Sequence, residues 1–259
     1  MSAAIEFRNV SFAVSPERLL LCDLSFAVEA GTTTAMLGRS GSGKTTLLRT
    51  VNHMVEPTGG DVLVHGGSVA ATVRDGNLIP LRRKIGYVIQ ETGLFPHFTV
   101  ERNVGVVLEA QGRPREERIQ RSHELLTAVG LDPSTFASRL PHQLSGGQRQ
   151  RVGLARALAA EPDILLMDEP FGALDPLTRA EMQDLLRGLL ARFRKTVLLV
   201  THDLDEALYL ADCIVLMNEG KLAASLSPEE FLRSRQPEVE EYIGAFHRGG
   251  TGAERTKPA

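Results

Sequence analysis

Apolar and polar positions alternate through residues 5–14, with Phe7 and then Val10, Phe12 and Val14 on recurring faces, and again through residues 24–28. Alternation of this kind predicts antiparallel strands with one buried face. Residues 32–37 are β-branched first and apolar afterwards, as a strand entering a core should be, and residues 46–51 then read as helix. The turn Pro57-Thr58-Gly59-Gly60 precedes a returning strand at residues 61–66. Residues 67–80 show little periodicity and are predicted to be loop. Residues 84–90 turn apolar again and end at Gln90, the shape of a core strand emerging at a site.

From residue 91 the character changes. A helical segment begins at residues 99–104, and residues 113–129 form a charged amphipathic stretch with Ile119, Leu125, Leu126 and Val129 on its inner side. Charges of both signs at residues 109–121 suit a solvated helix face better than a binding patch. Few strand signals occur before residue 150, so this part is predicted to be a mostly helical insert. The short apolar runs 164–167 and 196–200, separated by helical sequence, suit central strands of a parallel sheet covered on both faces. A last strand at 213–217 leads to the turn Asn218-Glu219-Gly220-Lys221. Residues 227–247 read as helix, and the polar residues 249–259 as a frayed tail. The class predicted is α/β, with a mostly parallel sheet, an N-terminal antiparallel β part and an inserted helical part.

Composition narrows this little. The 259 residues suffice for one large α/β domain or two small ones, and 42% hydrophobic with 24% charged residues is ordinary for a water-soluble globule. With 29 basic and 32 acidic residues the net charge is −3, which offers no electrostatic reason to expect nucleic acid as a partner. Cys22 and Cys213 lack metal-ligand spacing and read as small buried hydrophobes in a reducing compartment. No run approaches the roughly 20 apolar residues that cross a bilayer, and the first residues lack signal-peptide character, so a cytoplasmic location is expected.

Candidate chemistry changes the picture more. Gly38-Arg39-Ser40-Gly41-Ser42-Gly43-Lys44-Thr45 fits the phosphate-loop pattern G-x-x-x-x-G-K-[ST], in the strand–loop–helix context that the pattern needs. The glycines let successive N–H groups face an anion, and the helix opening at Thr46 adds its positive end. Lys44 supplies charge for β- and γ-phosphates and Thr45 a hydroxyl ligand for Mg²⁺. Asp168 and Glu169 end the run 164–167, where parallel sheets bind ligands. Asp168 can accept Mg²⁺-bound water, and Glu169 can polarise the attacking water. In Leu144-Ser145-Gly146-Gly147-Gln148, Ser145 is a plausible N-cap and the glycines allow close backbone approach, giving a second anion cradle. One nucleotide has little use for two cradles in one subunit. A symmetric dimer resolves this, with each nucleotide between one chain's phosphate loop and the other's Ser145-Gly146-Gly147.

Together these residues resemble the ATP-binding subunit of an ABC transporter, in order and spacing from about residue 5 to residue 221. Residues 38–45 match Walker A, Gln90 the Q-loop, residues 144–148 the signature, residues 164–169 Walker B, Ala173-Leu174-Asp175 the D-loop and His202 the switch histidine. The resemblance implies one ABC ATPase domain over residues 1–247, a helical subdomain at about 91–150 and a flexible tail at 248–259. It also implies that His202 contacts the γ-phosphate and that Gln90 links Mg²⁺ and water to a membrane partner. ATP and Mg²⁺ would be bound by an ATP-dependent head-to-tail homodimer. That dimer would sit on transmembrane permease subunits at the cytoplasmic face, and would meet a substrate-binding protein only indirectly. Residues 83–90, the stretch Gly93-Leu94-Phe95-Pro96-His97 and residues 167–176 look like importers of glycine betaine, choline and related osmoprotectants. In such proteins the region of Phe95 would line a groove for a permease helix. DNA-repair and chromosome ATPases interrupt the domain with coiled coils or zinc modules, which nothing here resembles, and translation factors need two cassettes.

Relatives usually stack an aromatic on adenine four residues after the position of Val10, where this chain has Val14. Phe12 could substitute but suits the core better. Stacking on a base is worth about 1–3 kcal/mol. We therefore expect weak base discrimination, with GTP used nearly as well as ATP, and a several-fold gain in ATP affinity for Val14→Tyr in a titration. No change in Val14→Tyr together with a loss in Phe12→Ala would move the base contact to Phe12.

Overall fold

The computed structural model describes residues 2–90 and 92–250. The first alternating stretches pair as a long hairpin, β1 (Ala3–Ser15) with β2 (Arg18–Glu29), and β4 (Gly59–Val64) and β5 (Gly67–Ser68) extend it to a four-stranded antiparallel sheet in the order β2-β1-β4-β5. Phe7 and Val10 are both buried although their spacing is odd. The register slips between them, where Asn9 takes φ 52° and its side-chain amide donates to Asp23 at 2.7 Å. This is a β-bulge, and it returns the apolar positions to one face.

The second sheet has six strands in the order β10-β9-β3-β8-β7-β6. β3 (Thr33–Gly38), β6 (Ile85–Val88), β7 (Ile164–Asp168), β8 (Thr196–Val200) and β9 (Cys213–Asn218) run parallel, and β10 (Lys221–Leu226) closes the edge antiparallel. Both faces are covered, as continuous apolar runs require. Ile164, Leu166, Leu198 and Val200 face a core shared with the antiparallel sheet and with helix α1 (Lys44–Val51). Their neighbours Leu165, Met167, Val197 and Leu199 face the helices α4 (Val100–Ala110), α5 (Arg115–Ala128), α7 (Gly146–Leu158) and α8 (Pro176–Phe193). A third core joins Ala35, Leu37, Ile214 and Leu216 to α9 (Leu204–Leu210), α10 (Pro228–Arg233) and α11 (Pro237–Gly250).

Three expectations need correction. Residues 67–80 are not loop. Besides β5 they hold α2 (Val69–Arg74), capped by Ser68 accepting from the Ala71 N–H, and the start of α3 (Leu78–Arg83). Six-residue helices complete fewer than two turns, too few to print a period, and Pro80 is tolerated in the first turn, where its missing N–H has no intrahelical role. Cys22 and Cys213 are half-buried rather than core residues. Cys213 opens β9 at the sheet rim, and its Sγ lies 3.5 Å from the Ser225 hydroxyl. Residues 18–23 and 221–226, which the sequence reading left out of its strands, complete β2 and form β10. Between residues 92 and 158 the helices are α4, α5, the short α6 (Pro133–Phe136) and α7, and α7 runs on beneath the sheet. No helix among the described residues is long and apolar enough to cross a membrane. Of the tail expected at residues 248–259, residues 248–250 belong to α11 and residues 251–259 lie outside the described residues.

β6 lies flush on α7. A Cβ on Gly86 would sit 2.5 Å from the Ala157 carbonyl oxygen and 2.6 Å from Leu165 Cδ2. Gly86→Ala is expected to cost about 1–3 kcal/mol by overpacking, read as a lower urea midpoint at an unchanged slope. An unchanged midpoint would show that α7 can move away.

Candidate functional site

The carboxyl ends of β3, β7 and β8 meet at one edge of the parallel sheet, where residues 38–45 curl between β3 and α1. Gly38, Gly41 and Gly43 have φ of 150°, 80° and 94°. A Cβ on Gly38 would stand 2.3 Å from the Met217 carbonyl oxygen, and one on Gly43 2.4 Å from Leu21 Cδ2, so both positions demand glycine on two counts. The cleft is about 180 Å³ and is lined by Leu20, Ser40, Gly41, Gly43, Lys44, Thr45, Thr46 and Glu169.

Lys44 is only 5% exposed. Its ammonium donates to the carbonyl oxygens of Gly38 at 2.7 Å and Arg39 at 2.9 Å, with the Ser42 hydroxyl at 3.4 Å. Burial lowers its pKa, and the nearby charges of Glu169 and Asp168 oppose that shift. The Thr45 hydroxyl donates to Asp168 Oδ1 at 2.7 Å. The other oxygen, Oδ2, is met at 3.5 Å by both Arg49 and the Tyr87 hydroxyl, while Arg49 Nε donates to that hydroxyl at 3.3 Å. A hydroxyl and a carboxylate joined in this way are hard oxygen donors of the kind that holds Mg²⁺.

Glu169 sits where the chain leaves β7, with φ 45°, a left-handed conformation that costs a non-glycine residue about 1–3 kcal/mol. Its N–H donates to the Val200 carbonyl oxygen at 3.0 Å and its own carbonyl oxygen accepts from Gly172 N–H at 3.2 Å, which fixes the turn. The carboxylate Oε2 lies 3.2 Å from Nδ1 of His202, just past β8. Gln90 is exposed beyond β6. A Cβ on Gly172 would lie 3.5 Å from its amide nitrogen and 3.6 Å from Glu169 Oε2, so the two side chains flank the same turn.

Other expected residues stand apart. Ser145 and Gly146 are exposed at the start of α7, where Ser145 and Gln148 form a capping box with bonds of 3.2 and 2.9 Å. That helix start rests on the D-loop side rather than on the phosphate loop: a Cβ on Gly147 would stand 2.5 Å from Thr178 Cγ2. Val14 is 57% exposed at the tip of the β1–β2 hairpin, and Phe12 packs partly buried against the core. Arg39 points away, to Glu241 on α11 at 2.6 Å. Phe95 is 42% exposed, on a segment held by buried Asn103, which accepts from the Phe95 N–H at 2.7 Å and donates to three carbonyls.

Sequence reasoning missed Arg49, Tyr87 and Gln150, which carry no motif of their own. Gln150, buried in α7, donates to the carbonyl oxygens of Gln90 at 3.1 Å and Pro170 at 2.7 Å, tying two strand exits to the signature helix. Its distance of two residues from Gln148 was the available signal. Behind His202, Glu206 is 4% exposed, accepts from the Thr201 hydroxyl at 3.0 Å and has its pKa pushed up to about 8, chiefly by burial.

A phosphate loop wrapped on a parallel sheet, with two carboxylates at the exit of β7, defines a P-loop nucleotide-binding protein. The family model described as ABC transporter matches residues 21–172, and the chain belongs to that family, as one of its ATP-binding domains. Among its relatives are the choline transport ATP-binding protein OpuBA of Bacillus subtilis, 42% identical over 93% of this chain and 62% of that protein, and OpuCA of the same organism, a glycine betaine/carnitine/choline transport ATP-binding protein, 45% identical over the same shares. The chain thus spans about three-fifths of the length of these relatives. The glycine betaine uptake system ATP-binding protein YehX of Escherichia coli is 42% identical over 95% of this chain and 78% of its own length. A solved dimeric ATP-binding cassette, in a post-hydrolysis state bound to ADP and Pi, is 33% identical with a TM-score of 0.77 over 86% of this chain and 98% of its own. cbiO1 of Clostridium perfringens, part of an ABC transporter complex, reaches a TM-score of 0.82 at 26% identity over 96% and 98%.

The raised pKa of Glu206 has a consequence for stability. The folded chain holds this proton up to about pH 8, whereas the unfolded chain releases it near 4.5. Stability from this group is therefore full below the unfolded value and is lost as pH rises towards 8, by at most about 1.4 kcal/mol per pH unit. In thermal melts from pH 5 to 9, Glu206→Gln is expected to lose less stability than the parent as pH rises. Parallel curves would exclude the proton.

Proposed function

We propose that the chain is the ATP-hydrolysing subunit of an ABC transporter and powers a separate membrane permease, of the type that imports osmoprotectant or quaternary-amine solutes. The observation that carries the chemistry is the convergence of Thr45, Asp168 and Glu169 beside the buried ammonium of Lys44, with His202 against Glu169 at 3.2 Å. The solute class is supported by the printed functions of the choline and glycine betaine relatives.

In this reading Lys44 exchanges its loop carbonyls for β- and γ-phosphate oxygens, and the N–H groups of residues 38–46 supply the rest of the cradle. Thr45, Asp168 and Gln90 would hold Mg²⁺, which supplies charge neutralisation when bound. Glu169 orients and polarises the attacking water, and its strained main chain keeps the carboxylate aimed into the cleft. His202 contacts the γ-phosphate and is oriented by its contact with Glu169. Val14 offers apolar cover for the base without stacking. Ser145, Gly146, Gly147 and Gln148, at a helix start whose first residues are exposed and which rests against Thr178 rather than on the phosphate loop, serve the site of a second copy in a head-to-tail, ATP-dependent homodimer.

The working unit is a single ATPase domain over residues 1–247 with a helical subdomain at about 91–150. It would lie on the cytoplasmic side of the membrane through its permease and would meet a solute-binding protein only through that permease. Phe95, held out by Asn103, would face the permease.

Glu169→Gln keeps the side chain's shape and removes the charge that polarises water. ATP binding should persist while turnover falls at least about a hundredfold, and the variant should sediment as a dimer with Mg²⁺-free ATP. Lys44→Ala should weaken nucleotide binding itself. Turnover by Glu169→Gln close to that of the parent would remove Glu169 from its role, and a monomer at every ATP and protein concentration, with permease present, would remove the dimer.

A further inference from the structure

Helix α11 crosses behind the phosphate loop and touches both sides of the site. Its Tyr242 hydroxyl donates to the main-chain carbonyl oxygen of His202 at 3.0 Å, and its Glu241 pairs with Arg39 at 2.6 Å. Between the helix and the loop lies a cavity of about 420 Å³ that these residues share with Met217 and Phe246. The helix is therefore not joined to the loop by continuous packing, and the contact is made by polar groups at discrete points. The ion pair is exposed on both sides, so screening leaves it little strength. The hydroxyl is different. Its ring is seated against the core of β3, β9 and α9–α11, and Gly38 lines the same cavity. Burial holds its pKa at about 12, so it remains a donor throughout the neutral range.

We infer that Tyr242 is a positioning residue of the nucleotide site: its hydroxyl ties the main chain of His202 to helix α11, across the cavity that Gly38 of the phosphate loop also lines. The imidazole that meets Glu169 thereby has a main-chain anchor beside the phosphate cradle. His202 gains from such a tie because its side chain is mostly exposed. The helix so becomes part of the site without touching nucleotide. The inference rests on the proposed ATPase reading.

Tyr242→Phe leaves the ring in its seat and removes only the donor. In the full chain, kcat for ATP is expected to fall about fivefold, the loss of one net hydrogen bond, with KM unchanged and the thermal midpoint lowered by no more than about 4 °C. Amide exchange of residues 200–204 should quicken in the nucleotide-free protein. In a His202→Ala background, Tyr242→Phe should lower single-turnover hydrolysis no further. Parent-like kcat in Tyr242→Phe, unchanged exchange, or an equal fold-loss with and without His202 would each overturn the inference, as would a rate loss that vanishes at temperatures well below the variant's midpoint. If the parent chain itself hydrolyses no ATP, the ATPase reading fails, and the exchange measurement alone decides whether the tie exists.

Discussion

A buried ammonium needs oxygen around it, and the site is built on that requirement. Lys44 stands at the first position of α1, nearly out of water, and the carbonyls that satisfy it belong to Gly38 and Arg39 of the loop it follows. A charge removed from water without partners would be costly, so the loop stays curled around the cation. The curl in turn requires positive φ at three glycines and leaves no room for a side chain at Gly38 or Gly43. The same bonds leave the loop closed on itself in a shape that an anion can take over.

The parallel sheet turns that loop into a site. Because β3, β7 and β8 run the same way, their exits fall at one edge, and residues more than 120 positions apart in sequence are neighbours there, as the 2.7 Å contact of Thr45 with Asp168 shows. Two constraints then fix the carboxylates. Asp168 is held on both oxygens, by Thr45 on one and by Arg49 and Tyr87 on the other. Glu169 is held through its backbone, in a conformation that persists only because hydrogen bonds from both sides of the turn over-determine it. Gln150 adds a third restraint from α7, binding the exits of β6 and β7 to the helix that begins at Ser145. Movement of that helix and movement of the carboxylate edge are therefore mechanically linked.

Much of this was legible in the linear chain because the determining interactions are local. The phosphate loop, the Ser145 cap and the strand runs at 164–167 and 196–200 each declare themselves within a dozen residues, since backbone curl, capping and two-sided burial are set by near neighbours. The same locality explains the misses at α2 and α3, whose helices are too short to show a period.

Residue types and spacing by themselves determined the class of fold, the nucleotide chemistry and the principal polar groups of the site. Only the tertiary structure decided which of those groups meet. It joined Thr45 to Asp168 and Glu169 to His202, kept Ser145–Gly147 on a separate surface beside Thr178, and brought Arg49, Tyr87, Gln150 and Tyr242 into play. An arginine, a tyrosine or a glutamine outside a motif has no signature of its own, because its role comes from the carbonyl or carboxylate that packing sets opposite it. Such pairings are set by strand order and helix placement across the whole chain, and these depend on contacts too distant in sequence for any local pattern to encode.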